Sequence, residues 1–290
     1  MLSDFLYYLL LKPLSKLPLS ILYIFSDGLK FVLKDLLKYR RKVVEANLTK
    51  VYPNLSEAEL TKTVSVFYAH LSDLIVEGVK SFSISEKELW SRVKILNKEI
   101  FDKPFKANRS VILVSAHCNN WEWPAILGPG ILPHELCGFY KTIKNKTIDE
   151  AVRKSRSQLG LILSSIDHTY ESFVEREKTG RPHAYLMLAD QSPSKIEKAH
   201  WVNFLGIETA CHHGPAHYAQ TYDMAIFYVH IDKKERGYYE VLFEELIDDP
   251  NSLSPEEITE KYMKAVEAFI SKNPAHWLWS HKRWKHVREE

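Results

Sequence analysis

His117 and Glu122 are the residues in this chain whose types and spacing most directly suggest chemistry. They bound the segment His117-Cys118-Asn119-Asn120-Trp121-Glu122. An imidazole can take a proton from a hydroxyl near neutral pH. A carboxylate on its other nitrogen fixes the tautomer and stabilises the imidazolium that forms. In a continuous helix, side chains at this spacing would lie about 140° apart around the axis and would not meet. They can meet if His117 closes a strand and the chain turns into a helix near Glu122. Pro124 suits the first turn of such a helix, and open α/β sheets carry their sites at the carboxyl ends of strands. No G-x-S-x-G elbow is present, so the attacking hydroxyl is expected to be the substrate's. Cys118 is set aside as a nucleophile, because neighbours on a strand point to opposite faces. On residue types alone, a structural histidine at a strand end is as good a reading as a catalytic one.

The elements that would position the pair can be read from the hydrophobic pattern. Ser110–Ala116 is an apolar, β-branched run that predicts a strand buried on both faces and leads straight into His117. His183–Ala189 and Ala225–Ile231 predict two more such strands, Val93–Leu96 a short one, and Tyr238–Leu246 an edge strand. Helices are expected at Trp121–Leu127, Thr147–Gln158, Tyr170–Lys178 and Gly214–Thr221. Ser254, Pro255 and Glu257 predict the start of another, with a cap, an N1 proline and a capping-box glutamate. Ser56 and Glu59 form the same box ahead of a long amphipathic helix ending at Lys80, and everything to about residue 90 reads as helical. Strands alternating with helices imply an α/β fold with a mostly parallel central sheet covered by helices.

Residues 1–30 read differently from 31–290. Phe5–Phe25 is very apolar but is broken by Lys12, Pro13, Lys16 and Pro18. It lacks the basic start and small-residue cleavage site of a secretory signal. Neither half can span a bilayer as a straight helix. We expect a helical, membrane-associated segment, either a kinked anchor with snorkelling lysines or an apolar hairpin lying in the interface; a helix pair packed on the domain is the alternative. The basic run Lys34–Lys42 would then face the cytoplasm. A net charge of +2 is too small to argue for nucleic acid. Three cysteines without CxxC spacing argue against a disulfide framework.

Several segments in order resemble one family. His117-Cys118-Asn119-Asn120-Trp121-Glu122 resembles the H-x4-D/E signature of glycerolipid acyltransferases, and most closely the H-x-x-N-W-E form of bacterial lipid A late acyltransferases. Arg40–Leu48 with Tyr52-Pro53 resembles that family's N-terminal helix. Tyr140-Lys141-Thr142-Ile143-Lys144-Asn145 resembles its Y-R-P-x-K-N segment, and Ala189-Asp190-Gln191 its A-D-Q. Phe204-x-Gly206-x-x-Thr209 with Gly214-Pro215-Ala216, and Asn273-Pro274 through Trp277, Trp279 and Arg283-Trp284-Lys285, resemble its closing segments. The resemblance implies an inner-membrane enzyme facing the cytoplasm. It would move a fatty acyl chain from acyl carrier protein, or less often coenzyme A, onto a lipid hydroxyl, with no metal or cofactor.

On this reading His117 is the base and Glu122 orients it, while the oxyanion is held by backbone amides or by Asn119 or Asn120. Lys141 and Lys144 either bind phosphate or are plain surface. Asp190 either holds the loop after its strand or positions the acceptor. Arg283 either packs among Trp277, Trp279 and Trp284 or reaches substrate. The chain departs from the family where Lys141 replaces an arginine, losing a bidentate fork, where Thr142 replaces a proline, and at Ser192–Lys195. These departures bear on the acceptor. A lipid A precursor leads, with a lysophospholipid, an aminolipid or a pigment as enzymatic alternatives and a non-catalytic membrane scaffold as the rival of another class. His212, His213 and His217 lack a following carboxylate at zincin spacing, so no metal site is expected there.

Overall fold

A computed structural model describes Asp4 and residues 7–288; positions 1–3 and 5–6 of the apolar N-terminal segment, and 289–290, lie outside the described residues. The chain is helical from Tyr7 to Arg92 apart from short breaks, then alternates strand and helix. Among the described residues nine strands form: β1 (Val93–Ile95), β2 (Val111–Ser115), β3 (Glu135–Tyr140), β4 (Ile162–Ser165), β5 (His183–Leu188), β6 (His200–Phe204), β7 (Ile207–Cys211), β8 (Ala225–Glu235) and β9 (Tyr238–Ile247). Seven make one sheet in the order β1-β9-β8-β2-β5-β3-β4, and β6 and β7 form a separate hairpin.

The sheet is parallel except where β9 runs back along β8. The β8–β9 pair is a direct hairpin, which only antiparallel strands can make. β9 was expected at an edge, but β1 pairs along it and covers it. β2 lies at the centre and is buried throughout, as its continuous apolar run requires. Ile112 and Val114 face one core, with helices Glu57–Lys80, Thr169–Glu177, Gly214–Thr221 and Pro255–Lys272. Val111 and Leu113 face the other, under helix Glu122–Ile131. The β6–β7 turn places Leu205 and Gly206 at φ 53° and 78°, the two left-handed residues that a tight hairpin with right-handed strand twist demands.

The N-terminal segment is packed on the domain by one face only. Helix Leu19–Phe31 follows Pro18 and buries Leu19, Leu22 and Ser26. Ser26 donates to Asp73 at 2.8 Å, and Arg236 bridges Asp73 and Asp27. Its other face leaves Ile21, Ile24 and Phe25 exposed, and Leu9, Phe31, Leu36 and Leu37 are exposed nearby. No helix among the described residues is long and apolar enough to cross a membrane.

Candidate active site

His117 follows β2 by two residues, and Asp190 follows β5 by two residues. The two strands are parallel neighbours with Ser115 opposite Leu188, and the Ala189 N–H still donates to the Ser115 carbonyl at 3.2 Å. Register therefore carries the imidazole and the carboxylate to the same place at the carboxyl edge of the sheet. His117 Nδ1 lies 2.7 Å from Asp190 Oδ1, and the His117 N–H donates to Asp190 Oδ2 at 3.0 Å. The Trp277 indole N–H donates to the same oxygen at 2.7 Å. Asp190 is buried, at 1% exposure. Burial alone would raise its pKa, but the adjoining His117, with hydrogen bonds from its ring, the Trp277 indole and the His117 amide, brings it down to about 2.

An ionised carboxylate at this point requires a donor on Nδ1, so the proton of a neutral imidazole sits there. Nε2 is left as the acceptor, and no hydrogen-bond partner for it stands among the described residues. The ring packs edge-on to Trp121, with centroids 5.0 Å apart.

The expected contact between His117 and Glu122 is not made. The helix does begin at Glu122 and His117 does lie just beyond a strand's carboxyl end, but the first turn carries the Glu122 side chain toward helix Lys146–Arg156. There the Arg156 Nε donates to Glu122 Oε2 at 2.7 Å and a second guanidinium nitrogen donates to Oε1. The carboxylate that meets His117 is Asp190. Its signal lay in the parallel endings Ser115-Ala116-His117 and Leu188-Ala189-Asp190, which only the strand register turns into a pair.

Asn120 and Asn119 are both spent on the turn. Asn120 Oδ1 accepts from the Glu122 and Trp123 N–H groups at 3.1 Å each, capping the helix. Its Nδ2 donates to the buried Glu77 at 2.7 Å. Asn119 takes a positive φ of 51°, a conformation asparagine tolerates, and its Nδ2 donates to the Ile231 carbonyl. Each side-chain amide thus has one of its two N–H donors committed within the fold. Lys141 and Lys144 are exposed beyond the carboxyl end of β3, away from the hydrogen bonds of the dyad. Arg283 is buried at 1% exposure. It donates to the Ala210 carbonyl and Cys211 Sγ and lies over the Phe204 ring, clamping the β6–β7 hairpin. Burial pushes the Cys118 thiol well above its ordinary range, so it is no thiolate. His213 and His217 have ring centroids 6.1 Å apart, and no group of metal-ligating side chains with suitable geometry is found among the described residues.

A narrow apolar seam runs beneath helix Glu122–Ile131 from Trp121. Leu113, Leu186, Leu188 and Val229 of the sheet form its floor, flanked by Leu136 of β3 on one side and Phe243 of β9 on the other. Its alternating sheet residues Leu113 and Ser115 belong to the row that ends at His117.

Three histidines around the site are held neutral. Burial lowers His212, His276 and His281 to about 4, and His281 Nε2 accepts the Ser192 N–H at 3.0 Å. Their folded values lie below the ordinary 6.5, so between pH 6.5 and 4 the unfolded chain binds more protons. The stability they contribute is complete above 6.5 and is lost as pH falls toward 4. Urea unfolding should show a loss on the order of 2 kcal/mol between pH 7 and pH 5, allowing for solvent screening of half-buried rings. A flat profile would mean these rings titrate alike in both states.

A search of curated proteins found no match to this chain. A sequence model described as bacterial lipid A biosynthesis acyltransferase matches residues 1–286, which spans the dyad, the Trp277 donor and both apolar faces of the N-terminal helix. The chain belongs to the bacterial lipid A biosynthesis acyltransferase family, and its members are acyltransferases.

Proposed function

We propose that this acyltransferase moves a fatty acyl chain from an acyl thioester, with acyl carrier protein as the favoured donor, onto a hydroxyl of a lipid A precursor. The observation that carries the mechanism is the 2.7 Å contact between His117 Nδ1 and Asp190. Nε2 takes the proton of the acceptor hydroxyl as its oxygen attacks the thioester carbonyl. The C–S bond breaks when the tetrahedral intermediate collapses, and the imidazolium returns the proton to the departing thiolate. The backbone N–H groups of Asn120 and Trp121 hold the oxyanion. Glu122 acts through Arg156, fixing the wall of the site. The scheme uses only the protein's own base and amides, with no cofactor.

The exposed apolar face of residues 7–37, flanked by Lys30, Lys34, Lys38 and Arg40, supports attachment to the inner membrane in the interface rather than across it. The site would face the cytoplasm, where acyl carrier protein is found. Lys141, Thr142 and Ser192–Lys195 support a second reading in which the acceptor is another hydroxylated lipid. Mass spectrometry of total lipids from a host lacking this protein separates the two. Loss of one acyl chain from lipid A alone supports the first reading. Intact lipid A with another species missing replaces the acceptor and keeps the reaction.

A further inference from the structure

The two basic runs of the sequence, Lys34–Lys42 and His281–Arg288, meet in the fold. Arg40 Nη1 donates to the Ser280 carbonyl at 3.0 Å, and Asn47 Nδ2 donates to the Trp279 and His281 carbonyls at 2.8 Å each. Lys50 Nζ stands 5.9 Å from the centre of the Trp284 ring, within cation–π range. The closing segment is thus laid along helix Arg41–Val51. The acids of this region are matched by cations of their own: Asp35 by Lys34 at 3.4 Å, Glu45 by Arg41 at 2.7 Å and Glu208 by Arg288 at 3.2 Å. Lys38, Arg40, Lys42, Lys50, Lys282 and Lys285 are exposed, and none of these has an ion pair among the described residues. Glu289 and Glu290 follow in the sequence, outside the described residues.

Exposed aliphatic groups bracket these cations. Leu36 and Leu37 precede Lys38, and Val287, at 77% exposure, follows Lys285. Between the leucines and the helix, Lys38 and Arg40 take left-handed φ values of 48° and 50°, which such side chains rarely adopt. The Tyr68 hydroxyl holds that turn by donating to the Tyr39 carbonyl at 2.7 Å. Strain kept in place by outside contacts collects at functional segments.

We propose that helix Arg41–Val51 and the closing segment from Ser280 form one headgroup-binding face, which seats the protein on an anionic bilayer beside the apolar residues that precede it. The inference rests on the reading of residues 7–37 as an interfacial attachment and extends that surface to the far end of the chain. Spread cations with aliphatic groups at both ends suit a lipid surface, where the aliphatics enter the hydrocarbon boundary and the lysines meet phosphates. An acidic protein would answer the charge but not the exposed leucines and valine. The closing segment also carries Trp277, which donates to Asp190, and His281, which accepts from Ser192. Seating it on the bilayer brings the dyad to the surface from which a lipid hydroxyl is presented.

The test is cosedimentation of the full-length protein with sucrose-loaded vesicles of phosphatidylcholine, with and without phosphatidylglycerol. Wild type should prefer the anionic vesicles by about tenfold or more, and high salt should remove the preference. Lys282→Gln with Lys285→Gln should weaken binding to the anionic vesicles about tenfold, with neutral-vesicle binding and melting temperature unchanged. Equal binding of the two proteins to anionic vesicles overturns the inference. So does a variant that loses transfer from acyl carrier protein while its vesicle binding holds, since the face would then belong to the carrier. Wild type that binds anionic but not neutral vesicles, with the variant weakened, would instead sink the interfacial reading of residues 7–37 and leave the basic face standing.

Discussion

Asp190→Asn should lower kcat for acyl transfer by about 10³–10⁴ while changing the acceptor KM little. The carboxamide keeps the shape of the carboxylate, and its oxygen can still accept the Trp277 indole N–H that now reaches Oδ2 at 2.7 Å. Its NH₂ would then face His117 Nδ1 and donate to it. The ring proton would move to Nε2, the nitrogen that must be bare to accept a proton from the acceptor. A base in the wrong tautomer accounts for losses of this size elsewhere. His117→Ala should fall at least as far. Glu122→Gln should cost less than either, because the Glu122 carboxylate is held by Arg156 and not by the imidazole. Steady-state kinetics on the three variants decide the matter. If Glu122→Gln were as damaging as His117→Ala and Asp190→Asn were benign, the orienting role would pass to Glu122 and the dyad assignment would fail.

Glu77→Ala should destabilise the fold by about 3–5 kcal/mol, among the larger effects a single substitution produces. Glu77 is fully buried, and burial raises its pKa. It accepts from the Tyr23 hydroxyl at 2.8 Å and from the Tyr239 hydroxyl and Asn120 Nδ2 at 2.7 Å each. One side chain thus joins the N-terminal helix, the long helix, β9 and the active-site turn. Alanine would leave two buried hydroxyls and an amide without a partner, each costing about 1–3 kcal/mol. Asn120 would also lose the contact that aims it at the helix start. Chemical denaturation measures the loss. A change under about 1 kcal/mol would show that the network is replaced by water or repacks without it.

The chemistry of this chain was more legible than its pairing. Ser110–Ala116, His183–Ala189 and Ala225–Ile231 announced themselves as buried strands because parallel strands covered on both faces must be apolar throughout. The capping boxes at Ser56 and Ser254 marked helix starts that the structure confirms. β3 and β4 were missed: Glu135–Tyr140 carries a glycine and a charge, and Ile162–Ser165 is short and half polar. The β6–β7 hairpin was hidden because Leu205 is a poor advertisement for a turn. His117 was found from its neighbours, and Asp190 was named without its contact to the imidazole. Which carboxylate meets an imidazole depends on strand order and register across 73 positions, and local periodicity says nothing about either. Arg156 carried no signal at all, since its role exists only where two helices approach.

The central ladder bears on how such an enzyme can diversify. His117 and Asp190 are placed by backbone hydrogen bonds between two buried strands, which tolerate few changes of side chain. Lys141 and Lys144, the lysines proposed to meet a lipid headgroup, lie on a separate loop at the surface. Substitutions there can accumulate without disturbing proton transfer. Natural selection can thus trade one lipid for another by steps that each leave a working catalyst.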